Sequence, residues 1–124
     1  MTPISFRALS TFTALLAATL VLLLCFVPGL IYWLFGLENH ATADLLAKRA
    51  AGLFTGYAVL SWLIRDAEPS ALLRKICIAI AVMMAALTFA SLYEFLRGFA
   101  GPGILLAAIT EAALAALYFR HARA

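Results

Sequence analysis

Charged residues are scarce in this sequence of 124 residues. Asp, Glu, Lys and Arg together make up 12% of it, whereas 66% of the residues are apolar and the mean hydropathy is +1.05. Ordinary soluble domains carry roughly a quarter of their residues as charges. So few polar side chains cannot cover a folded surface in water, which excludes a soluble globular domain and indicates an integral membrane protein.

The sequence also lacks any cluster of basic residues. Its nine Lys and Arg residues give a net charge of +3, but they stand apart, at the ends of apolar runs. Basic residues at such positions are typical of membrane flanks, whereas a nucleic-acid surface concentrates them on one face. We therefore expect the lipid bilayer, and no nucleic acid, as the protein's partner.

Metal-ligating and catalytic patterns are missing as well. Neither Cys25 nor Cys77 belongs to a CxxC pair or lies near a histidine at metal-ligand spacing, so we interpret both as apolar core residues. His40 and His121 are predicted on opposite sides of the membrane and cannot share one haem or metal ion. P-loop, GxSxG and HExxH motifs do not occur in the sequence. No cofactor or metal is expected, and any enzymatic chemistry would have to take place inside the membrane.

What the sequence does contain is apolar runs long enough to cross a bilayer, whose core of about 30 Å needs about 20 helical residues. Charges and turn signals predict four such helices, at residues 9–32, 44–63, 75–96 and 102–119. Pro28 and Gly29 are expected to kink or end the first helix. The charged segment 65–70 should separate two helical hairpins, and the glycine-rich segment 98–103 should form a tight turn. The prediction is an all-α fold, a single transmembrane domain over residues 1–124 built as a four-transmembrane-helix bundle.

Basic residues distinguish the two sides of the predicted membrane. The side of both termini and the middle loop carries Arg7, Arg65, Arg74, Lys75, Arg120 and Arg123, and the other side carries Lys48, Arg49 and Arg97. Because the side richer in Lys and Arg faces the cytoplasm, both termini are predicted to be cytoplasmic. The expected location is the inner (cytoplasmic) membrane.

Glu111 is the most informative polar residue. It lies nine residues before Arg120, which places it about 13 Å from the inner boundary at 1.5 Å per residue, near the midplane. A carboxylate at this depth should face the bundle interior or a wet cavity. The residues that share its helical face are small, namely Ala107, Ala108 and Ala115. Two interpretations remain open. One is a proton, cation or ligand site to which Tyr57 and Thr88 contribute, and the other is interhelical hydrogen bonding.

A second group of charges is predicted in the outer half of the membrane. Arg49 and Glu94 fall at similar depths, with Arg97 one turn beyond Glu94. Arg49 shares a helical face with Gly52 and Gly56, whose GxxxG spacing lets two helices approach closely. A buried ion pair between Arg49 and Glu94 is therefore predicted, with a structural role favoured over ligand binding.

The order of three segments, PGLIYWLFG, then KRAAGLFTGYAVLSWLIRDAEPS, then RKI, resembles small bacterial four-helix membrane proteins grouped as domains of unknown function. The resemblance spans most of the chain and implies a membrane fold with no assigned activity. The leading prediction is a non-enzymatic membrane protein that acts through helix packing, as an oligomer or an accessory subunit of a membrane complex. The alternative is a small proton-coupled transporter or hydrophobic-ligand-binding protein that uses Glu111. An intramembrane enzyme comes third.

Overall fold

The computed structural model describes residues 4–123, which form five α-helices and no β-strand. The helices are α1 (Phe6–Phe26), α2 (Pro28–Phe35), α3 (Ala41–Leu63), α4 (Ala71–Leu96) and α5 (Ile104–Arg123). The all-α prediction is confirmed. In the described residues α1, α4 and α5 are long and apolar enough to cross a membrane, which gives three candidate spans where the sequence predicted four. α3 has the length, but Asp44, Lys48 and Arg49 lie within it and reduce its apolar character.

Pro28 divides the first predicted helix in two. α1 ends at Phe26 and α2 begins at Pro28, so the interruption lies where Pro28 and Gly29 were expected to kink or end the helix predicted over residues 9–32. Proline has no amide hydrogen to continue a helical ladder. It is accepted in a first turn because the amide groups there have no partner within the helix.

Serine hydroxyls set the beginnings of α1 and α4. The hydroxyl of Ser5 accepts a hydrogen bond from the Ala8 amide at 3.1 Å, and that of Ser70 accepts one from the Leu73 amide at 3.1 Å. Such caps satisfy amide groups that have no partner in the first turn of a helix. The cap explains why α4 begins at Ala71 and not at residue 75, where charges suggested the membrane boundary.

The described chain divides into two compact units. The first unit consists of residues 4–33 and Glu38–Ala67, in which α1 packs against α3. The second unit consists of Leu34–Leu37 and residues 68–123, in which α4 packs against α5. The division after Ala67 falls within the charged segment 65–70, as expected for the loop that separates two helical hairpins.

Side-chain size differs between the inside and the outside of these helices. Most buried residues of α1 and α3 are small, including Ser10, Ala14, Ala17, Ala47 and Ala51, and small side chains allow helix backbones to approach closely. Large apolar side chains are exposed instead, among them Leu15, Leu53, Phe89, Leu96 and Ile109. Such a surface is unfavourable in water and suits contact with lipid tails.

Candidate functional site

Glu111 lies near the middle of α5 in the second unit. Its Oε2 atom is buried and accepts no hydrogen bond from the described residues. Ser91 on α4 is a side chain that approaches the Glu111 carboxyl as a hydrogen-bonding partner. A buried polar atom without a partner is costly in apolar surroundings, and few such atoms occur in native proteins. This unused hydrogen-bonding capacity makes Glu111 a candidate binding site.

The residues around Glu111 on α5 vary in exposure with their position on the helix. Ala108 is buried, Ala107 and Ala115 are half-buried, and Leu106 and Ile109 are exposed. The small side chains next to Glu111 thus lie on the more protected part of the helix. Larger side chains are buried on the same side of α5, namely Leu114 one turn after Glu111 and Tyr118 two turns after it.

The two residues predicted to assist Glu111 lie in different units. Thr88 is on α4, half-buried, and its hydroxyl donates to the backbone carbonyl of Met84 at 2.9 Å. A hydroxyl bonded back to its own helix is a common arrangement in apolar helices. Tyr57 is buried on α3 in the first unit, so its contribution to a Glu111 site stays a prediction.

Glu94 and Arg97 form an ion pair at the end of α4. The Arg97 Nη2 and Nε atoms donate to Glu94 Oε2 at 2.6 and 3.1 Å. The two side chains are one turn apart on the same helix, a spacing at which opposite charges meet. Arg49 lies in the first unit and Glu94 in the second, so the Arg49–Glu94 pair stays a prediction. Within the second unit, the Glu94 carboxylate already forms its ion pair with Arg97.

One face of α3 is open. Arg49, Gly52 and Gly56 are exposed, and a Cβ atom added at either glycine would meet no atom within 4 Å. Within the first unit, the side chains of Arg49 and its exposed neighbour Lys48 form no ion pair or hydrogen bond with another described residue. The GxxxG face that was predicted to contact a neighbouring helix is therefore uncovered by the described residues of the first unit. We call Arg49, Gly52 and Gly56 the open α3 face.

Three polar contacts connect distant parts of the first unit, and sequence reasoning missed all three. The Ser10 hydroxyl donates to the Ser61 carbonyl at 2.5 Å, and the Tyr32 hydroxyl donates to Asp44 Oδ1 at 3.0 Å. Arg7 pairs with Asp66. A stripe of small and polar residues at helical spacing on α1, formed by Ser10, Thr13, Ala14 and Ala17, is the signal that could have indicated the buried side of this helix.

Glycines allow a close backbone contact in the second unit. The Gly101 amide donates to the Phe35 carbonyl at 2.7 Å. A Cβ atom placed on Gly103 would lie 1.7 Å from the Leu34 carbonyl oxygen, so only glycine fits there without a shift of the backbone. Gly36 has φ +70°, a left-handed conformation that glycine adopts without strain. The sequence predicted the tight turn at residues 98–103 but not the segment Leu34–Leu37 that docks on it.

Within residues 4–123, His, Cys, Asp and Glu side chains nowhere gather in a group of three or more that could hold a metal ion.

The chain matches no protein-family model, and no curated protein or solved structure is significantly similar to it. The candidate sites are therefore Glu111 with Ser91 in the second unit, and the open α3 face in the first.

Proposed function

We propose that this chain is a four-span protein of the inner (cytoplasmic) membrane, with both termini in the cytoplasm, that acts non-enzymatically through helix packing. Three of its helices qualify as candidate spans by length and composition. The fourth crossing would be α3, whose 23 residues reach about 34 Å at 1.5 Å per residue, enough for a hydrocarbon core of about 30 Å. The excess of basic residues on the side of the termini supports the orientation.

The open α3 face is the observation that carries the packing function. Lipid tails are as apolar as leucine, so helices in a bilayer gain little by merely hiding apolar side chains from it. They associate where small residues let their backbones come into contact, as Gly52 and Gly56 would. We propose that this face packs against a helix of another subunit, which makes the protein an oligomer or an accessory subunit of a larger membrane complex.

Leucine substitutions on the open face test this function. Gly52→Leu and Gly56→Leu place large side chains where the structure has free space, so each subunit should fold while its contact with a partner is blocked. Ala86→Leu is the matched control, since Ala86 is an exposed small residue on α4. Cross-linking in native membranes and co-purification in mild detergent should lose the partner band in the glycine variants and keep it in the control.

A partner band of unchanged intensity in Gly52→Leu and Gly56→Leu would contradict packing through α3. A wild-type protein that is monomeric in membranes and purifies alone would contradict the packing function as a whole.

A second candidate function rests on the unpartnered Glu111 Oε2 atom. In this alternative the protein is a small proton-coupled transporter or binds a hydrophobic ligand whose polar group meets Glu111. Glu111→Gln discriminates between the two functions because the amide has nearly the same shape but cannot release a proton. If Glu111 is a coupling site, the Glu111→Gln variant should fold but should lose pH-dependent binding or transport. If Glu111 is purely structural, the Glu111→Gln variant should keep both its assembly and its physiological function.

A further inference from the structure

Lys48 and Arg49 are the exceptions in the charge pairing of the first unit. Every other charged residue of this unit contacts a polar or charged side chain, in the pairs Arg7–Asp66, Arg65–Asp66, Glu38–His40 and Asp44–Tyr32. The Lys48 and Arg49 side chains are exposed and have no hydrogen-bond or ion-pair partner among the described residues of the first unit. Two adjacent cations thus stand without an anion on a surface that is otherwise largely apolar.

The acidic residue nearest in sequence does not neutralise them. Asp44 lies one turn before Lys48 on α3, a spacing at which an ion pair could form. The Asp44 carboxylate instead accepts the hydroxyl hydrogen of Tyr32, and the structure contains no ion pair between Asp44 and Lys48 among its described residues. No anion of the first unit therefore neutralises Lys48 or Arg49.

Gly52 leaves space directly beside the two cations. It lies three residues after Arg49 and four after Lys48, so it shares a helical face with both. Because Gly52 has no side chain and no atom would lie within 4 Å of a Cβ there, the backbone of α3 is accessible at this point. Position 52 therefore adds no side chain that would cover Lys48 or Arg49.

We propose that Lys48 and Arg49 bind the phosphate group of an anionic phospholipid near the end of α3 at Ala41. Arginine binds phosphate through two parallel N–H bonds, and lysine adds a compact positive charge. Basic residues beside membrane-spanning helices are suited to anionic headgroups. The proposal takes from the proposed function only that α3 lies in the membrane, and it does not require a second subunit.

The depth of the pair along α3 favours a lipid headgroup over a carboxylate on a partner helix. Lys48 is seven residues from Ala41, the first residue of α3, or about 10 Å at 1.5 Å per residue. Side chains of a helix lean toward its N-terminus, and the long stems of Lys and Arg extend further in that direction. Both charged groups therefore reach toward the nearer end of α3, where a span would meet the headgroups.

Native mass spectrometry of the full chain, released from bilayers of phosphatidylglycerol and phosphatidylcholine, tests this inference. We expect wild type to retain phosphatidylglycerol preferentially, and Lys48→Gln/Arg49→Gln to lose this preference by roughly tenfold, since two favourable phosphate contacts disappear. The matched control is Arg74→Gln/Lys75→Gln, an adjacent and exposed basic pair near the beginning of α4. The control should lose less of this preference than Lys48→Gln/Arg49→Gln does. Arg49→Lys should retain part of the preference, because it keeps the charge but not the paired geometry.

Equal losses in the two double variants would overturn the inference, because they would reduce it to general surface charge. A wild-type protein that retains phosphatidylglycerol and phosphatidylcholine equally would also overturn the inference. Lys48→Gln/Arg49→Gln could instead keep its lipid preference and lose a co-purifying protein. This result would assign the two cations to an acidic partner helix and would also overturn the inference. Cross-linking of the same samples reports the packing function separately, so a monomer that keeps its lipid contradicts packing alone.

Discussion

Glycine has opposite roles in the two units of this molecule. In the first unit, Gly52 and Gly56 face open space on α3, and an added Cβ would contact nothing within 4 Å. In the second unit, an added Cβ on Gly103 would overlap the Leu34 carbonyl oxygen. The same residue type therefore leaves room for an external partner in one unit and permits an internal backbone contact in the other.

The polar contacts of the two units differ as well. The first unit has an ion pair between residues far apart in sequence, Arg7 with Asp66, whereas the ion pair of the second unit, Glu94 with Arg97, lies within a single helical turn. The second unit joins distant residues through the approach of Ser91 to the Glu111 carboxyl. Contacts between distant residues restrain the packing of helices, and contacts within one turn mainly stabilise that turn. Substitutions in the first group should therefore change the free energy of unfolding more than substitutions in the second.

The largest effect is expected from the glycine comparison itself. Gly103→Ala should destabilise the protein by about 3 kcal/mol or more, because the new methyl group overlaps backbone that cannot rotate away. Gly52→Ala is the matched control and should leave stability unchanged or raise it by up to about 1 kcal/mol, since alanine favours the helix. Unfolding in mixed detergent micelles, followed by circular dichroism, measures both. Similar stabilities for the two variants would contradict the contrast between a closed and an open glycine.

A smaller effect is expected from the buried hydrogen bond of the first unit. Ser10→Ala removes the donor to the Ser61 carbonyl in a place where both residues are 0% exposed, and should cost about 1 kcal/mol of unfolding free energy. Thr19→Ala is the control, because the exposed Thr19 hydroxyl bonds only to the Leu15 carbonyl of its own helix. An equal effect of the two substitutions would show that the Ser10 bond does not restrain α1 against α3.

Tyr32→Phe should cost somewhat less, about 0.5–1 kcal/mol, by removing the hydrogen bond to Asp44. A double-mutant cycle with Asp44→Asn isolates the pair from its surroundings. Additive effects of the two substitutions would indicate that the hydroxyl and the carboxylate do not interact in the membrane.

The smallest effect is expected at Glu94. Glu94→Gln removes the ion pair with Arg97, but the two side chains are 34% and 52% exposed, so the loss should stay below about 0.5 kcal/mol. The same unfolding measurement checks this value. A loss of several kcal/mol would mean that Glu94 has a second, buried partner, as the predicted pair with Arg49 requires.

The sequence was sufficient to predict the helices but not the contacts between them. Apolar runs, Pro28 and the charged segment 65–70 are local signals, and the structure has a helix for each run, a break at Pro28 and a unit boundary in that segment. Contacts such as that of Tyr32 with Asp44 depend on how each helix is rotated, which no local pattern specifies. The close approach of Leu34 to Gly103 likewise depends on where a distant segment docks.

The Glu94–Arg97 pair shows a different limit of sequence reasoning. Its spacing of three residues on one helix is a local signal that favours an ion pair. The prediction for Glu94 emphasised Arg49 instead, because the two were expected at matching depths. Depth along the membrane normal constrains only one coordinate, and a neighbour on the same helix needs no tertiary arrangement to make contact.

The central claim is that α3 crosses the membrane although Lys48 and Arg49 lie within it. Topology reporters at the two ends of α3 test it most directly, with alkaline phosphatase active outside the cytoplasm and green fluorescent protein fluorescent inside. Fusions after Asn39 should report the outside, and fusions within residues 70–72 and at the carboxyl terminus should report the cytoplasm. The same side for Asn39 and for residues 70–72 would contradict the account, because the chain would then cross the bilayer three times and α3 would not span it.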